Sequence, residues 1–164
     1  MEEVVKCENF YIAGDYERAI EAGKIAVEKD SNNLKAHYCL GRSYCKIGEF
    51  KLALEHMTKA ERLTSDKQDL IYIYNQIGLI YDSMGYLDGA LLYYSRSLSL
   101  TKDLVNKSMQ VSVLNNIGAI YYYNYKGELD KALDFYEESL RLQTDEKEKA
   151  ITYNNIANIY YNLL

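Results

Sequence analysis

The chain has no proline, no tryptophan, three phenylalanines and three cysteines in 164 residues. Without proline, no segment is forced to kink or stop where the ring would block a helix ladder. No apolar run approaches the ~18 residues that a bilayer crossing needs, so no membrane-spanning segment is expected. The opening stretch MEEVVKCENF is acidic where a secretory signal is basic, and it lacks an apolar centre. The cytoplasm is therefore the expected compartment. Positive charge is in deficit: the formal net charge is −5, which argues against nucleic acid as a partner, since phosphate backbones are met by basic faces. Cys7, Cys39 and Cys45 contain no C-x-x-C, and their odd number suggests free, buried thiols in a reducing compartment. His37 and His56 have no acidic or cysteine partner at ligand spacing, so packing or solvent is their expected role. With no nucleophile–base pair, metal constellation or phosphate loop at workable spacing, neither enzyme activity nor any cofactor or metal is expected.

What is abundant is tyrosine, at 18 residues, within a chain that is 48% hydrophobic and rich in helix formers. A tyrosine can pack its ring while its hydroxyl stays wet, which suits half-buried helix faces. The tyrosines also keep time. Leu40-Gly41-x-x-Tyr44, Ile77-Gly78-x-x-Tyr81, Ile117-Gly118-x-x-Tyr121 and Ile156-Ala157-x-x-Tyr160 are four copies of one phrase. On a helix these i, i+1, i+4 positions form a single packing stripe, and the small residue lets a neighbouring helix come close. Gly14, Gly48, Gly85 and Gly127 follow as turn residues able to take a left-handed helix end. The second helix then carries Ala19, Ala53, Ala90 or Ala132, and four residues later Gly23, Met57, Tyr94 or Tyr136.

This pattern resembles the tetratricopeptide repeat (TPR), with its Leu-Gly-x-x-Tyr and Ala-x-x-x-Phe phrases, although the closing proline is missing from every copy. The resemblance implies an all-α fold: a right-handed superhelical solenoid of antiparallel helix pairs, four pairs plus one unpaired C-terminal helix. One domain, 1–164, is expected, with repeats at about 1–33, 34–67, 68–106 and 107–145 and a half repeat at 146–164. The spacing from Gly41 to Gly78 is 37 residues, from Gly78 to Gly118 it is 40, and from Gly118 to Ala157 it is 39. The usual unit is about 34 residues, so the later units must have longer helices or longer turns. They resemble the long units of bacterial signalling proteins and kinesin light chains.

In such proteins the first helix of each pair lines a concave groove. Mapped onto this chain, the groove would present Lys35, Tyr38, Arg42 and Lys46, then Tyr72, Asn75 and Leu79, then Asn115 and Tyr122, then Asn154 and Asn158. Lys35, Arg42 and Lys46 make a basic patch in an acidic protein, suited to an acidic peptide or a terminal carboxylate or simply solvated. Asn75, Asn115 and Asn154 form an amide ladder that either grips a peptide backbone or ties helices together. The Lys and Asn positions by which chaperone-binding TPR domains clamp a carboxylate terminus are not reproduced here.

The last copy stops after its first helix. Ile156, Ile159, Tyr160, Leu163 and Leu164 have only the preceding helix to cover them, where solenoids end in a polar cap. The expectation is either a piece of a longer array or self-association as a homodimer through that helix. The function implied is a scaffold that binds a peptide or helix of a partner protein in the concave groove. The alternative is a regulatory sensor module of a bacterial signalling system that responds to a peptide.

Overall fold

The computed structural model describes residues 1–163, apart from the side chain of Lys126. Nine α-helices follow one another among the described residues: α1 (Glu2–Ile12), α2 (Tyr16–Lys29), α3 (Leu34–Lys46), α4 (Phe50–Arg62), α5 (Lys67–Ser83), α6 (Leu87–Asp103), α7 (Lys107–Asn124), α8 (Leu129–Leu142) and α9 (Glu146–Leu163). Each odd-numbered helix packs on the even-numbered helix that follows, which gives four antiparallel pairs, and α9 docks on α8 and α7. The odd helices also touch one another in series, α1 to α3 to α5 to α7 to α9, whereas successive even helices do not. Crowding on the odd side and splaying on the even side curve the stack, so the odd helices line its inner face. The architecture is an all-α solenoid.

The close approach within a pair depends on the repeated glycines. A Cβ placed on Gly78 would lie 2.6 Å from the Tyr94 ring, and on Gly41 or Gly118 it would meet Met57 at 2.7 Å or Tyr136 at 2.8 Å. The large residue four after each alanine of the second helix therefore seats on the glycine of the first. Tyr94, Tyr136 and Met57 are fully buried in this way. In the first three phrases the tyrosine then stacks on an aromatic ring three residues after the alanine: Tyr44 on His56, Tyr81 on Tyr93 and Tyr121 on Phe135.

The additional length of the later repeats lies in their helices. α3 and α4 have 13 residues each, while α5 and α6 have 17 and α7 and α9 have 18. The polar inserts supply the caps of these longer helices. Asp66 accepts from the backbone N–H groups of Gln68 and Asp69, Asn106 from that of Met109, and Asp145 from those of Lys147 and Glu148.

Two expectations are corrected here. Gly14, Gly48 and Gly85 adopt positive φ as turn residues, but Gly127 does not. The two additional residues of that turn coil into a short 3-10 stretch, Lys126–Glu128, which closes the corner without a left-handed residue. Second, Cys7 and Cys39 are not free thiols: a disulfide joins them across a separation of 32 residues, and only Cys45 is free. Both bonded cysteines are fully buried at the contact of α1 with α3. Disulfides persist in oxidising surroundings, so the odd cysteine count does not carry the reducing compartment drawn from it. Among the described residues, no helix is long and apolar enough to cross a membrane.

Candidate binding groove

Three inner helices send side chains to one cleft of roughly 310 Å³. Helical spacing sets who arrives there. Lys35, Tyr38 and Arg42 lie at i, i+3, i+7 on α3 and so share a face, and Asp69 and Tyr72 do the same on α5. Glu8 joins them from α1, with Leu34 and Ile73 as the apolar lining. Four expected groove residues, Lys35, Tyr38, Arg42 and Tyr72, thus meet in one place.

Arg42 is the centre of this arrangement. Its guanidinium carbon lies 4.1 Å from the centroid of the Tyr11 ring and 4.8 Å from that of Tyr38. Two ring faces hold the planar group, an attraction worth about 0.5–2 kcal/mol per ring depending on desolvation. Its Nε is buried with no hydrogen-bond partner. Among the described residues no carboxylate lies within ion-pairing distance of Arg42, although Glu8 and Asp69 line the same cleft. With Nε closed off from solvent, the terminal Nη groups are the donors left for a ligand. Burial pushes the Tyr38 hydroxyl up to about 12, a rise that the nearby Arg42 charge opposes. Tyr38 therefore stays a neutral donor at physiological pH.

The other expected residues are dispersed. Lys46 is exposed at the end of α3, away from the cleft lining. Asn75 is buried, and its Oδ1 accepts from Asn116 Nδ2 at 3.2 Å, which bonds α5 to α7. Leu79 packs against the core cluster around Tyr94 and Ile117 rather than standing in open groove. Asn115 is half-buried, with its Oδ1 buried and unpartnered. The Tyr122 hydroxyl accepts from Asn162 Nδ2 at 2.6 Å and so links α7 to α9. Asn154 and Asn158 are exposed on α9. The ladder of Asn75, Asn115 and Asn154 thus divides into a buried strut, a half-buried amide and a solvated one.

The residues expected to need cover at the C-terminal helix also separate. Ile159 is 1% exposed in a cluster with Ala132 and Tyr136, and Ile156 packs against that cluster. The i, i+3 pair helps anchor α9 to α8, with Ile159 fully covered and Ile156 half-buried. Tyr160 and Leu163 remain exposed at 52% and 58%, and Leu164 lies outside the described residues.

Sequence reasoning missed Tyr11, Glu8 and Asp69. The first repeat lacks the Leu-Gly phrase, having Lys6-Cys7 in its place, so its spacing does not mark Tyr11 as an inner-face residue. Asp69 sits in a segment that reads as a polar insert. The i, i+3 pairing of Glu8 with Tyr11 and of Asp69 with Tyr72 was the signal that could have found them.

Models of the family described as tetratricopeptide repeat match residues 71–104 and 113–150. Among curated proteins, the chain is 39% identical over 87 residues to the Photosystem I assembly protein Ycf3 of Rippkaea orientalis, a match covering 53% of this chain and 47% of that protein. It is 33% identical over 98 residues to the protein of the same name from Cyanophora paradoxa, covering 60% of this chain and 53% of that one. The chain thus spans about half the length of the curated relatives it matches. Among solved structures, BtubC (BKLC) from P. vanneervenii superposes with a TM-score of 0.71 at 20% identity, over 92% of this chain and 65% of that one. The MamA protein gives a TM-score of 0.68 at 26% identity, over 90% of this chain and 73% of the other.

Proposed function

The chain is a tetratricopeptide repeat protein, and from that premise we propose that it is a non-catalytic scaffold that holds an extended, acidic segment of a partner protein in its inner groove. The observation that carries this reading is the Arg42 guanidinium, held over the Tyr11 and Tyr38 rings with a buried, unpartnered Nε and no ion pair among the described residues. A charged group held against two rings without a counter-ion among the described residues is preorganised for a carboxylate, because the cost of ordering it is met before the ligand arrives. Lys35, on the same face of α3, adds a second positive charge. Glu8 and Asp69 at the rim oppose any ligand whose negative charge is not directed at Arg42, which gives selectivity in register. The relatives named for photosystem I assembly support a role in assembly as a general class. Assembly as a class is all that is carried over.

Selection from a displayed library of random extended peptides tests this. The wild-type chain should enrich peptides with one or two Asp or Glu residues at a fixed position. Arg42→Met, which keeps the apolar stem, should lose that enrichment while its helical circular dichroism is unchanged. Equal enrichment by both proteins would sink the proposal.

A further inference from the structure

A second cleft of roughly 590 Å³ is lined by Val27 of α2, Ser31 of the following turn, His37 of α3 and residues of α4, and shares no residue with the cleft centred on Arg42. His37 and His56 line it together with Glu55, Thr58, Lys59 and Arg62. The repeat offers a frame for this pair. Residues 37 and 56 correspond to Tyr74 and Tyr93 one repeat later, where two rings meet at 5.9 Å, and to Leu114 and Phe135 after that. The third and fourth repeats fill these places with apolar or aromatic side chains and the first with Glu3 and Ala22, so the fold does not itself call for imidazole there.

The proton positions follow from the hydrogen bonds. His37 Nε2 lies 3.0 Å from the backbone oxygen of Ser31, which can only accept, so Nε2 carries the ring proton. Neutral His37 then has its lone pair on Nδ1. That lone pair faces His56 Nδ1 at 2.9 Å, so His56 donates from Nδ1 and its own lone pair is on Nε2. The ring centroids are 5.1 Å apart, close to the nitrogen separation plus two ring radii, so the two nitrogens meet head on. This geometry shares a proton between rings; it does not converge two lone pairs on a metal ion. Tyr44 stacks on His56 with an interplanar angle of 8° and holds the ring in place. Nε2 of His56 has no protein partner among the described residues, and it is the atom that takes the next proton.

We propose that this second cleft is an anion-binding site for a phosphate or carboxylate group, held by His56 Nε2–H, Lys59 and Arg62, and that protonation of the histidine pair switches it on. With the pair neutral, Nε2 presents a lone pair that repels an anionic oxygen. With one added proton, Nε2 becomes a charged donor and the Nδ1–H···Nδ1 bond to His37 is preserved. The groups facing His56 are His37 on α3, Lys24 on α2, and Glu55, Lys59 and Arg62 on α4. Among these Glu55 is the one carboxylate. Neither Lys59 nor Arg62 makes an ion pair among the described residues. Burial, then the neighbouring His37, hold the His56 pKa below its ordinary value, and Lys24 adds to this against an opposing effect of Glu55. An anion supplies the missing negative charge, so it binds the protonated pair better and by reciprocity raises the affinity for the proton.

The chain has two histidines, so their ring proton resonances can be followed by NMR titration without ambiguity. The titration is run in chloride, inorganic phosphate and acetate at one ionic strength. Phosphate, acetate or both should raise the His56 midpoint above its chloride value by at least about half a pH unit, which corresponds to roughly threefold tighter binding to the protonated pair. The more effective anion identifies the group. Lys59→Met with Arg62→Met should remove the difference between anions while leaving both histidines in place. His56→Phe, which copies the residue at Phe135, should abolish phosphate binding measured by calorimetry at pH 5.5. A midpoint that is the same in chloride, phosphate and acetate, or an anion effect that survives loss of Lys59 and Arg62, would overturn the proposal.

Discussion

Cys7 and Cys39 are covalently joined, and one helical turn beyond each of them Tyr11 and Arg42 meet as a stacked pair at 4.1 Å. The bond therefore fixes the spacing of α1 and α3 at the end of the groove where the guanidinium is held. A closed loop of this length stabilises a fold by about 3–4 kcal/mol on the chain-entropy account. Urea denaturation with and without a dithiol reductant should differ by that order. Hydrogen exchange in α1 should rise under reducing conditions before exchange in α5 or α6 does. Coincident denaturation curves in the two conditions would show that the disulfide contributes nothing to holding α1.

The fold was legible because its determinants are local and repeated. The Leu-Gly-x-x-Tyr and Ala-x-x-x-large phrases each specify one contact, and four copies make the pattern unmistakable. The seat of Tyr94 on Gly78 could be read from spacing alone. The site was less legible because it joins residues from helices whose relative rotation the repeat does not state. Asn75 has the spacing of a groove residue, yet the helix turns it toward α7, where Asn116 pairs with it. Cys7 and Cys39 are joined by the stacking of α1 on α3, and nothing in their separation announces it. His37 and His56 look isolated in sequence because helix pairing, not spacing, brings their nitrogens to 2.9 Å.

Tyr94 is fully buried with its hydroxyl unpartnered, and burial pushes its pKa far above the ordinary range. A buried hydroxyl without a partner carries a desolvation cost of about 1–3 kcal/mol. Tyr94→Phe removes that cost and keeps the ring on Gly78, so the variant should be as stable as the parent or more so by thermal denaturation. Gly78→Ala should act in the opposite direction. Its Cβ would lie 2.6 Å from the ring, and overpacking of this kind costs about 1–3 kcal/mol. A clearly destabilised Tyr94→Phe protein would mean that the hydroxyl is satisfied in solution.

The Asn75–Asn116 bond predicts coupling between two helices that are 41 residues apart in sequence. Asn116→Ala should cost about 1–2 kcal/mol, since it strands the Asn75 oxygen in a buried place. Asn75→Ala in the Asn116→Ala background should then cost much less than in the parent, with an interaction energy of about 0.5–1 kcal/mol in a double-mutant cycle. Strict additivity would place Asn75 in the groove as a ligand contact rather than a strut.

Stability should depend on pH through His56. Burial first, and then His37, depress the folded-state pKa of His56 relative to the ordinary value of 6.5. Below pH 6.5 the unfolded chain binds a proton that the folded chain still refuses, so the unfolded state is favoured as pH falls. The stabilisation is therefore fully present above pH 6.5 and is lost as pH falls through the depressed folded value, below which the penalty is constant. Chemical denaturation from pH 8 to pH 5 in chloride should show this decline. His56→Phe should flatten the part of it between pH 6.5 and 5.5, where carboxylates contribute little. Phosphate should flatten it too if it binds the protonated pair, because it returns the folded pKa toward its ordinary value. A His56→Phe profile parallel to that of the parent over this range would show that His56 titrates alike in the folded and unfolded states.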